Sequence, residues 1–411
     1  MARILAYTSP ARGHLFPLTP VLDALAARGH KVSVRTLASD VPLMRSRGFD
    51  AAPISGDVEA VALEDYGKSN PRAALVASTA TFCERAAFDG PDLRQAIEET
   101  SPDAVIVDVN SWGAQATAEA WGGPWAVFCP YPIPLQSVDA PPFGPGLPPA
   151  HGPLGRARDR LLRPVLFGTI NQQILPAVNG VRGGLGLAPL EQADDLFRRP
   201  PLLLYLTAEP FEYPRRDWPD NVVMVGPIAW EPPAEPPAWL HSVETPIVLV
   251  TTSSEFQDDG RLVRTALEAL ADEPVTVVAT LPAGDPTAYT VPPNARVERF
   301  LPHGPILDRA ACAVTHGGAG ATQKALARGV PVCAVPFGRD QHEVARRVEV
   351  AQAGTRLPAR RLRPDRLLDA VRDAMGCRAG AARLAAAFAD AGGAPAAADT
   401  FEHQLLGGAL R

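Results

Sequence analysis

Cysteine is scarce. The 411 residues include five, Cys83, Cys129, Cys312, Cys333 and Cys377, an odd number, widely spaced and without a C-x-x-C pair. That pattern excludes a disulfide framework or a zinc site built on paired cysteines, and fits free thiols in a reducing cytoplasm. No window reaches the roughly 18 consecutive apolar residues of a membrane span. The apolar stretch near the amino terminus, Ile4 to Tyr7, is too short for a secretion signal. Charge of one sign is nowhere concentrated: 45 acidic and 39 basic side chains are interspersed, for a net charge of −6. Neither a nucleic-acid footprint nor a polybasic membrane patch is expected, and an anionic ligand needs a local site. A D-x-D motif and a metal-spaced His/Asp cluster are also absent, so no metal site is expected.

What remains is an ordinary globular composition, 46% hydrophobic and 6% aromatic. The length suggests two domains of about 200 residues each. Short apolar, β-branched runs recur between helical patterns: "RILAYT", "KVSVRT", "AVIVDV", "WAVFC" and "LLLYL", then "PIVLVTT", "VTVVAT", "CAVTH" and "VCAVP". Uninterrupted apolar strands belong to parallel sheets covered on both faces, so each half reads as an α/β, βαβ-type domain. The expected division is residues 1–212, a linker 213–240 around "EPPAEPP", a second domain 241–390, and a C-terminal helix 391–411. A second Pro/Gly-rich segment, Asp139 to Pro153, is a mobile loop that either covers a substrate or has no role.

The stretch "VTHGGAGATQKALARGVPVCAVPFGRDQ", Val314 to Gln341, has the densest signal. A strand ends at His316; Gly317, Gly318 and Gly320 form the turn; a helix follows to Arg328 with Gly329 as its cap. Free N–H groups and the positive end of the helix dipole converge there, which favours a phosphate. The dinucleotide pattern G-x-G-x-x-G is broken at Gln323, and no Walker lysine follows. Asp340 and Gln341 follow the next strand at the same sheet edge and pair naturally with sugar hydroxyls. A sugar phosphate or nucleotide sugar is the ligand these residues suggest.

In the amino-terminal "YTSPARGHLFPLTP", Pro10 and Gly13 mark a turn that places His14 between strand and helix. A histidine there is either a general base toward a hydroxyl or a capping or core residue. Asp108 closes the apolar run "AVIVD" and is either the partner of such a histidine or a cap. Phe82, Phe88, Trp112, Tyr131 and Phe143 are candidates for an apolar substrate pocket.

The segment Phe300 to Gln341, "FLPHGPILDRAACAVTHGGAGATQKALARGVPVCAVPFGRDQ", together with "SPARGHLFPLTPVLDALAARGHKV", resembles the nucleotide-sugar-dependent glycosyltransferases of the GT-B fold. The similarity is to the bacterial branch that decorates macrolides, enediynes and other polyketides, and it spans essentially the whole chain. It implies two Rossmann-like domains facing across a cleft, with the acceptor in the first and the donor in the second. It also implies that the C-terminal helix packs back on the first domain. Carried over by position, His14 is the catalytic base and Asp108 its partner. Donor contacts fall to Gly13, Ser253, Ser254, Phe300 and Leu301, the diphosphate to His316, Gly318, Ala319, Gly320, Ala321 and Thr322, and the sugar to Asp340 and Gln341. The implied reaction is an inverting transfer to a hydrophobic acceptor, without metal or cofactor, by a monomer or homodimer. Two departures matter. Ala321 stands where a phosphate-binding hydroxyl is common, leaving the backbone or Thr322; Lys324 stands where plant relatives carry a ribose-binding glutamate. Lysine cannot accept a ribose hydroxyl's hydrogen bond, which points to a dTDP-sugar over a UDP-sugar. A sugar-nucleotide 2-epimerase of the same architecture and a non-catalytic auxiliary protein are the alternatives.

Overall fold

The computed structural model describes residues 1–63, 71–254, 257 and 259–407. A first sheet is built from β1 (Arg3–Tyr7), β2 (Lys31–Thr36), β3 (Asp50–Pro53), β4 (Ala104–Asp108), β5 (Trp125–Cys129), β6 (Leu202–Tyr205) and β7 (Val222–Met224). Its seven strands are parallel in the order β3-β2-β1-β4-β5-β6-β7. A second sheet comprises β8 (Ile247–Thr251), β9 (Thr276–Thr280), β10 (Ala295–Glu298), β11 (Ala310–Thr315), β12 (Val332–Ala334) and β13 (Gly354–Arg356). Its six strands are parallel in the order β10-β9-β8-β11-β12-β13.

Both faces of each sheet are covered, which is why the strands read as unbroken apolar runs. In β1, Leu5 and Tyr7 enter one core while Ile4 and Ala6 enter the other. In β11, Ala313 and the pair Cys312 and Val314 divide in the same way. The helices that matter for the site are α1 (Arg12–Ala27), α2 (Pro71–Thr100), α3 (Trp112–Trp121), α4 (Gly152–Gly184), α5 (Ala319–Leu326), α6 (Gln341–Val350) and α7 (Gly393–Phe401).

The C-terminal helix returns to the first domain. Ala397, Ala398, Phe401 and Leu406 are buried in the core that holds Leu15, Leu18 and Leu22 of α1. Glu402 accepts hydrogen bonds from Arg28 and His30, at 2.6 and 2.7 Å. The last four residues of the expected helix, 408–411, lie outside the described residues.

The linker is shorter than the prolines suggest. Val222-Val223-Met224 pairs with Leu203-Leu204-Tyr205 as the seventh strand of the first sheet, and Tyr213 is buried. Residues 213–225 therefore belong to the first domain. A parallel edge strand leaves one side of its backbone unpaired and tolerates nearby proline, so Pro219 and Pro227 interrupt nothing.

Candidate active site

In each sheet the strand order reverses once, between β1 and β4 in the first and between β8 and β11 in the second. At such a reversal the connections leave in opposite directions and open a crevice at the carboxyl ends of the strands, where α/β sheets bind ligands. Most of the expected residues sit at these two crevices, and a single cavity of about 1310 Å3 joins them.

At the first, the chain leaves β1 and enters α1 at Arg12, so His14 lies in the first helical turn rather than in the preceding loop. Pro17 and Pro20 lie inside that helix. Pro17 falls in the second turn, where it removes the N–H that would reach the Gly13 carbonyl and its ring crowds that oxygen. Asp108 is the last residue of β4, the neighbouring strand. The two side chains meet with His14 Nδ1 3.0 Å from Asp108 Oδ1. Asp108 is wholly buried. Its Oδ1 also accepts the Asn110 N–H at 2.8 Å, and its Oδ2 accepts the Ser9 N–H and hydroxyl at 3.0 and 2.8 Å. Burial alone would raise this carboxyl, but His14 and the Asn110 and Ser9 donors outweigh it and the net shift is downward. An ionised carboxylate only accepts hydrogen bonds, so His14 Nδ1 is the donor and its Nε2 carries the lone pair.

Tyr131 and Asn110 were not connected by the sequence. The Tyr131 hydroxyl donates to Asn110 Oδ1 at 2.7 Å, which fixes the amide with Nδ2 3.4 Å from His14 Nε2. The Tyr131 ring is tilted against the imidazole, with centroids 5.7 Å apart.

At the second crevice, β11 ends at Thr315 and α5 begins at Ala319. Gly317 has φ +85°, a conformation that strongly favours glycine. A Cβ on Gly318 would lie 2.4 Å from His316 Nε2, so glycine there makes room for the imidazole. No side chain caps α5. Its first amides are thus left for an anion, and the helix dipole adds positive potential. Burial lowers the His316 pKa to about 4, so it is neutral at neutral pH, and its buried Nδ1 has no hydrogen-bond partner among the described residues. Thr322 does not join this cradle. Its hydroxyl pairs with Thr315 Oγ1 at 3.1 Å, its amide donates to the Gly318 carbonyl at 3.0 Å, and the side chain is fully buried. The first helical turn points it back at the sheet, leaving Ala319, Gly320 and Ala321 on the cavity wall.

Gly13, Ser253, Ser254, Phe300 and Leu301 also line the cavity. Ser253 is held by its N–H to Asp259 at 2.7 Å and by Gln257 Nε2 on its hydroxyl at 2.9 Å. Lys324 faces the cavity too, but not alone: its Nζ lies 3.0 Å from Glu231 Oε2. The Glu231 carboxylate also accepts the His303 and Gly304 N–H groups at 3.1 and 2.8 Å. Burial would raise this carboxyl, and Lys324 with the two amides outweighs it.

Asp340 and Gln341 start α6 on the same wall. Burial raises the Asp340 carboxyl to about 6, with Arg339 and, across the cleft, His14 opposing. Gln341 is largely committed: its Oε1 accepts the Phe337 and Gly338 N–H groups at 2.8 and 3.0 Å, and its Nε2 donates to Gln257 Oε1 at 2.6 Å. One amide hydrogen is left for a ligand.

On the first-domain side aromatic and aliphatic residues line the cavity, together with Arg12, Asp40, Arg85 and Asp194. Phe82, Trp112, Tyr131 and Phe143 line it as expected. Phe82 and Trp112 pack edge to face, with centroids 5.5 Å apart. Phe88 does not line it; it is 37% exposed on the outward side of α2. Phe82 and Phe88 are six positions apart, which places them on different faces of one helix. The sequence reading missed Phe167, Ile170 and Ile174 of α4, which complete the wall. Their spacing with Val178, at i, i+3, i+7 and i+11, is an apolar stripe that could have found them, although Pro164 and Pro176 interrupt the helix around it.

The segment 139–153 closes one end by reaching the other domain. Gly144 and Gly146 donate to Glu343 Oε1 at 2.8 and 2.9 Å, and Arg346 Nε donates to the Gly146 carbonyl at 2.9 Å. Glu343 Oε2 accepts from Arg347 at 2.9 Å, and the buried Arg347 continues to Glu212 of the first domain, also at 2.9 Å.

Among the described residues no group of three or more His, Cys, Asp or Glu is placed to hold a metal ion, and no helix is long and apolar enough to cross a membrane. Residues 264–400 match the C-terminal domain of erythromycin biosynthesis protein CIII-like proteins. The calicheamicin glycosyltransferase CalG4 superposes with a TM-score of 0.78 at 22% identity over 98% of both chains. The 4'-demethylrebeccamycin synthase of Lentzea aerocolonigenes is 33% identical over 389 residues, 90% of this chain and 91% of the synthase. The chain belongs to the GT-B glycosyltransferases of antibiotic biosynthesis. The glycosyltransferase VinC, solved in complex with dTDP, shares this fold with a TM-score of 0.73 at 21% identity, over 98% of this chain and 99% of its own. The two crevices of this glycosyltransferase open on one cavity, with His14 at the first and the uncapped start of α5 at the second.

Proposed function

We propose that this glycosyltransferase inverts the anomeric centre, uses no metal ion or bound cofactor, and moves a sugar from a dTDP donor to a hydroxyl of an apolar natural product in the cytoplasm. The observation that carries the reading is that His14, with its lone pair at Nε2, and the uncapped start of α5 face one cavity from opposite domains. His14 Nε2 takes the proton of the acceptor hydroxyl while that oxygen attacks the anomeric carbon. The bond from that carbon to the diphosphate oxygen breaks, and its electron pair leaves with the diphosphate. The α5 amides and the neutral His316 receive that charge through preoriented dipoles. Asp108 stabilises the imidazolium formed at His14. Ser253, Ser254 and the Phe300–Leu301 turn hold the nucleoside, and Asp340 with the remaining Gln341 N–H holds the sugar.

The aromatic wall from Phe82 to Phe167 favours an apolar acceptor. Preference for dTDP rests on Lys324: its ammonium offers no acceptor to a 2′-hydroxyl, and Lys324 with two amides takes three of the roughly four acceptor sites of the nearby Glu231. VinC's dTDP complex supports the same nucleotide. The test is twofold. Incubation of polyketide acceptors with dTDP- and UDP-sugars in excess chelator, followed by mass spectrometry, should give a glycoside from the dTDP donors. Turnover of a sugar nucleotide without acceptor would replace the reading with epimerisation. Calorimetry should show dTDP binding more tightly than UDP; UDP tighter by tenfold would sink the nucleotide assignment.

A further inference from the structure

At the end of the cavity beyond Asp340, the second domain places three nitrogen-bearing side chains on the wall: His342 in α6, Arg356 at the end of β13, and Arg360 just after it. They share one neighbourhood. Burial and then Arg346 lower the Arg356 pKa, with Glu349 and Glu343 opposing and Arg360 adding to the lowering, while burial and then Arg356 and Arg360 lower that of His342 to about 4. The first-domain loop forms the opposite wall through Phe143, Gly144 and Pro145. A Cβ on Gly146 would lie 2.3 Å from the His342 carbonyl oxygen, so the loop and this group are in close contact.

Glu343 and Glu349 are near enough to be felt by Arg356, but among the described residues the cluster makes no direct ion pair. Arg356 Nε and His342 Nδ1 are buried without hydrogen-bond partners, and neither Arg356 nor Arg360 has a carboxylate partner among the described residues. The nearest acids are already committed. Glu343 serves Gly144, Gly146 and Arg347, and Glu349 serves Arg346. Adjacent guanidinium groups repel one another, and an orphaned buried donor is destabilising, so the arrangement favours whatever supplies a carboxylate oxygen. The sugar, held at Asp340, and an acceptor under the Phe143–Pro145 loop both border this place.

We propose that Arg356, Arg360 and His342 form an anion subsite that receives a carboxylate carried by the transferred sugar or by the acceptor. The inference rests on the glycosyltransferase reading, which binding of dTDP alone, measured first, reports on independently. Two pairs of probes then locate the carboxylate by calorimetry on the full chain: dTDP-glucose against dTDP-glucuronate, and, on the dTDP-saturated protein, emodin against emodic acid, in which a carboxylate replaces a methyl group. The acid should bind more tightly in one pair by about ten- to a hundredfold, the range of one charge-assisted bidentate contact. The pair that shows it names the carrier. The Arg356→Leu/Arg360→Leu protein should lose that preference while binding dTDP and the neutral probe within about twofold of the original, and Arg356→Lys/Arg360→Lys should restore only part of it, because lysine supplies the charge without the planar fork. No preference in either pair, or one unchanged in the leucine variant, overturns the proposal. Failure of dTDP itself to bind would instead overturn the transferase reading.

Discussion

Replacing Asp108 by asparagine removes one charge and no volume, yet the hydrogen bonds around this side chain leave the amide no comfortable orientation. Each carboxylate oxygen accepts a backbone N–H, Asn110 at Oδ1 and Ser9 at Oδ2. With its NH2 at the Oδ2 position, asparagine confronts the Ser9 N–H and orphans a buried donor, at a cost of about 1–3 kcal/mol. With its NH2 at the Oδ1 position, it confronts Asn110 and forces His14 Nδ1 to accept, which puts the proton on Nε2 and removes the base. In both cases the imidazolium formed during transfer faces a neutral amide. The expected result is a fall in kcat on the order of 10^3- to 10^4-fold, as for other His–Asp pairs treated this way. The melting temperature should drop by roughly 2–8 °C, and the Kd for dTDP should be unchanged, because Asp108 and the cradle lie on different domains. Single-turnover kinetics, thermal melts and calorimetry on one preparation measure all three. A folded Asp108→Asn protein that keeps more than a tenth of the original kcat would refute the claim that Asp108 fixes the His14 tautomer.

Gly318→Ala should weaken dTDP binding by about tenfold or more, since its Cβ would lie 2.4 Å from His316 Nε2 and displace the ring; calorimetry against Gly320→Ala, where a Cβ meets nothing within 4 Å, separates the clash from loss of glycine itself. The Asp340 carboxyl, raised to about 6 by burial, is ionised above that pH and protonated below it. The advantage of a dTDP-sugar over the terminal methyl ester of dTDP, neither of which titrates in this range, should therefore shrink as pH falls from 7 to 5, and Asp340→Asn should make it independent of pH over that range. An unchanged advantage at pH 5 in the original protein would remove Asp340 from sugar recognition.

The parts of this site that were readable share a cause. His14, Asp108, His316 and Asp340 each end or follow a strand short and apolar enough to recognise, and in a doubly wound sheet the carboxyl ends of the strands share one edge. Thr322 and Phe88 were misplaced because their roles depend on which way a helix face turns, and nothing local to either residue fixes that. The Lys324–Glu231 pair joins residues 93 positions apart, from a helix and a proline-rich connection. Strand β7 was hidden by its setting: Val222-Val223-Met224 is an apolar, β-branched run, but Pro219 and Pro227 flank it and drew it into the linker. The Glu343 contacts of the 139–153 segment go through backbone amides, which any sequence supplies.

The account's central claim is a division of labour, with proton removal on the first domain and leaving-group stabilisation on the second. His14→Ala tests it most directly, with dTDP affinity by calorimetry and glycoside formation by mass spectrometry measured on the same preparation. The account predicts a Kd for dTDP within about twofold of the original protein's and transfer reduced by at least about 10^3-fold, within the range expected for loss of a general base. Transfer retained above a tenth, or dTDP affinity lost together with transfer, would contradict it.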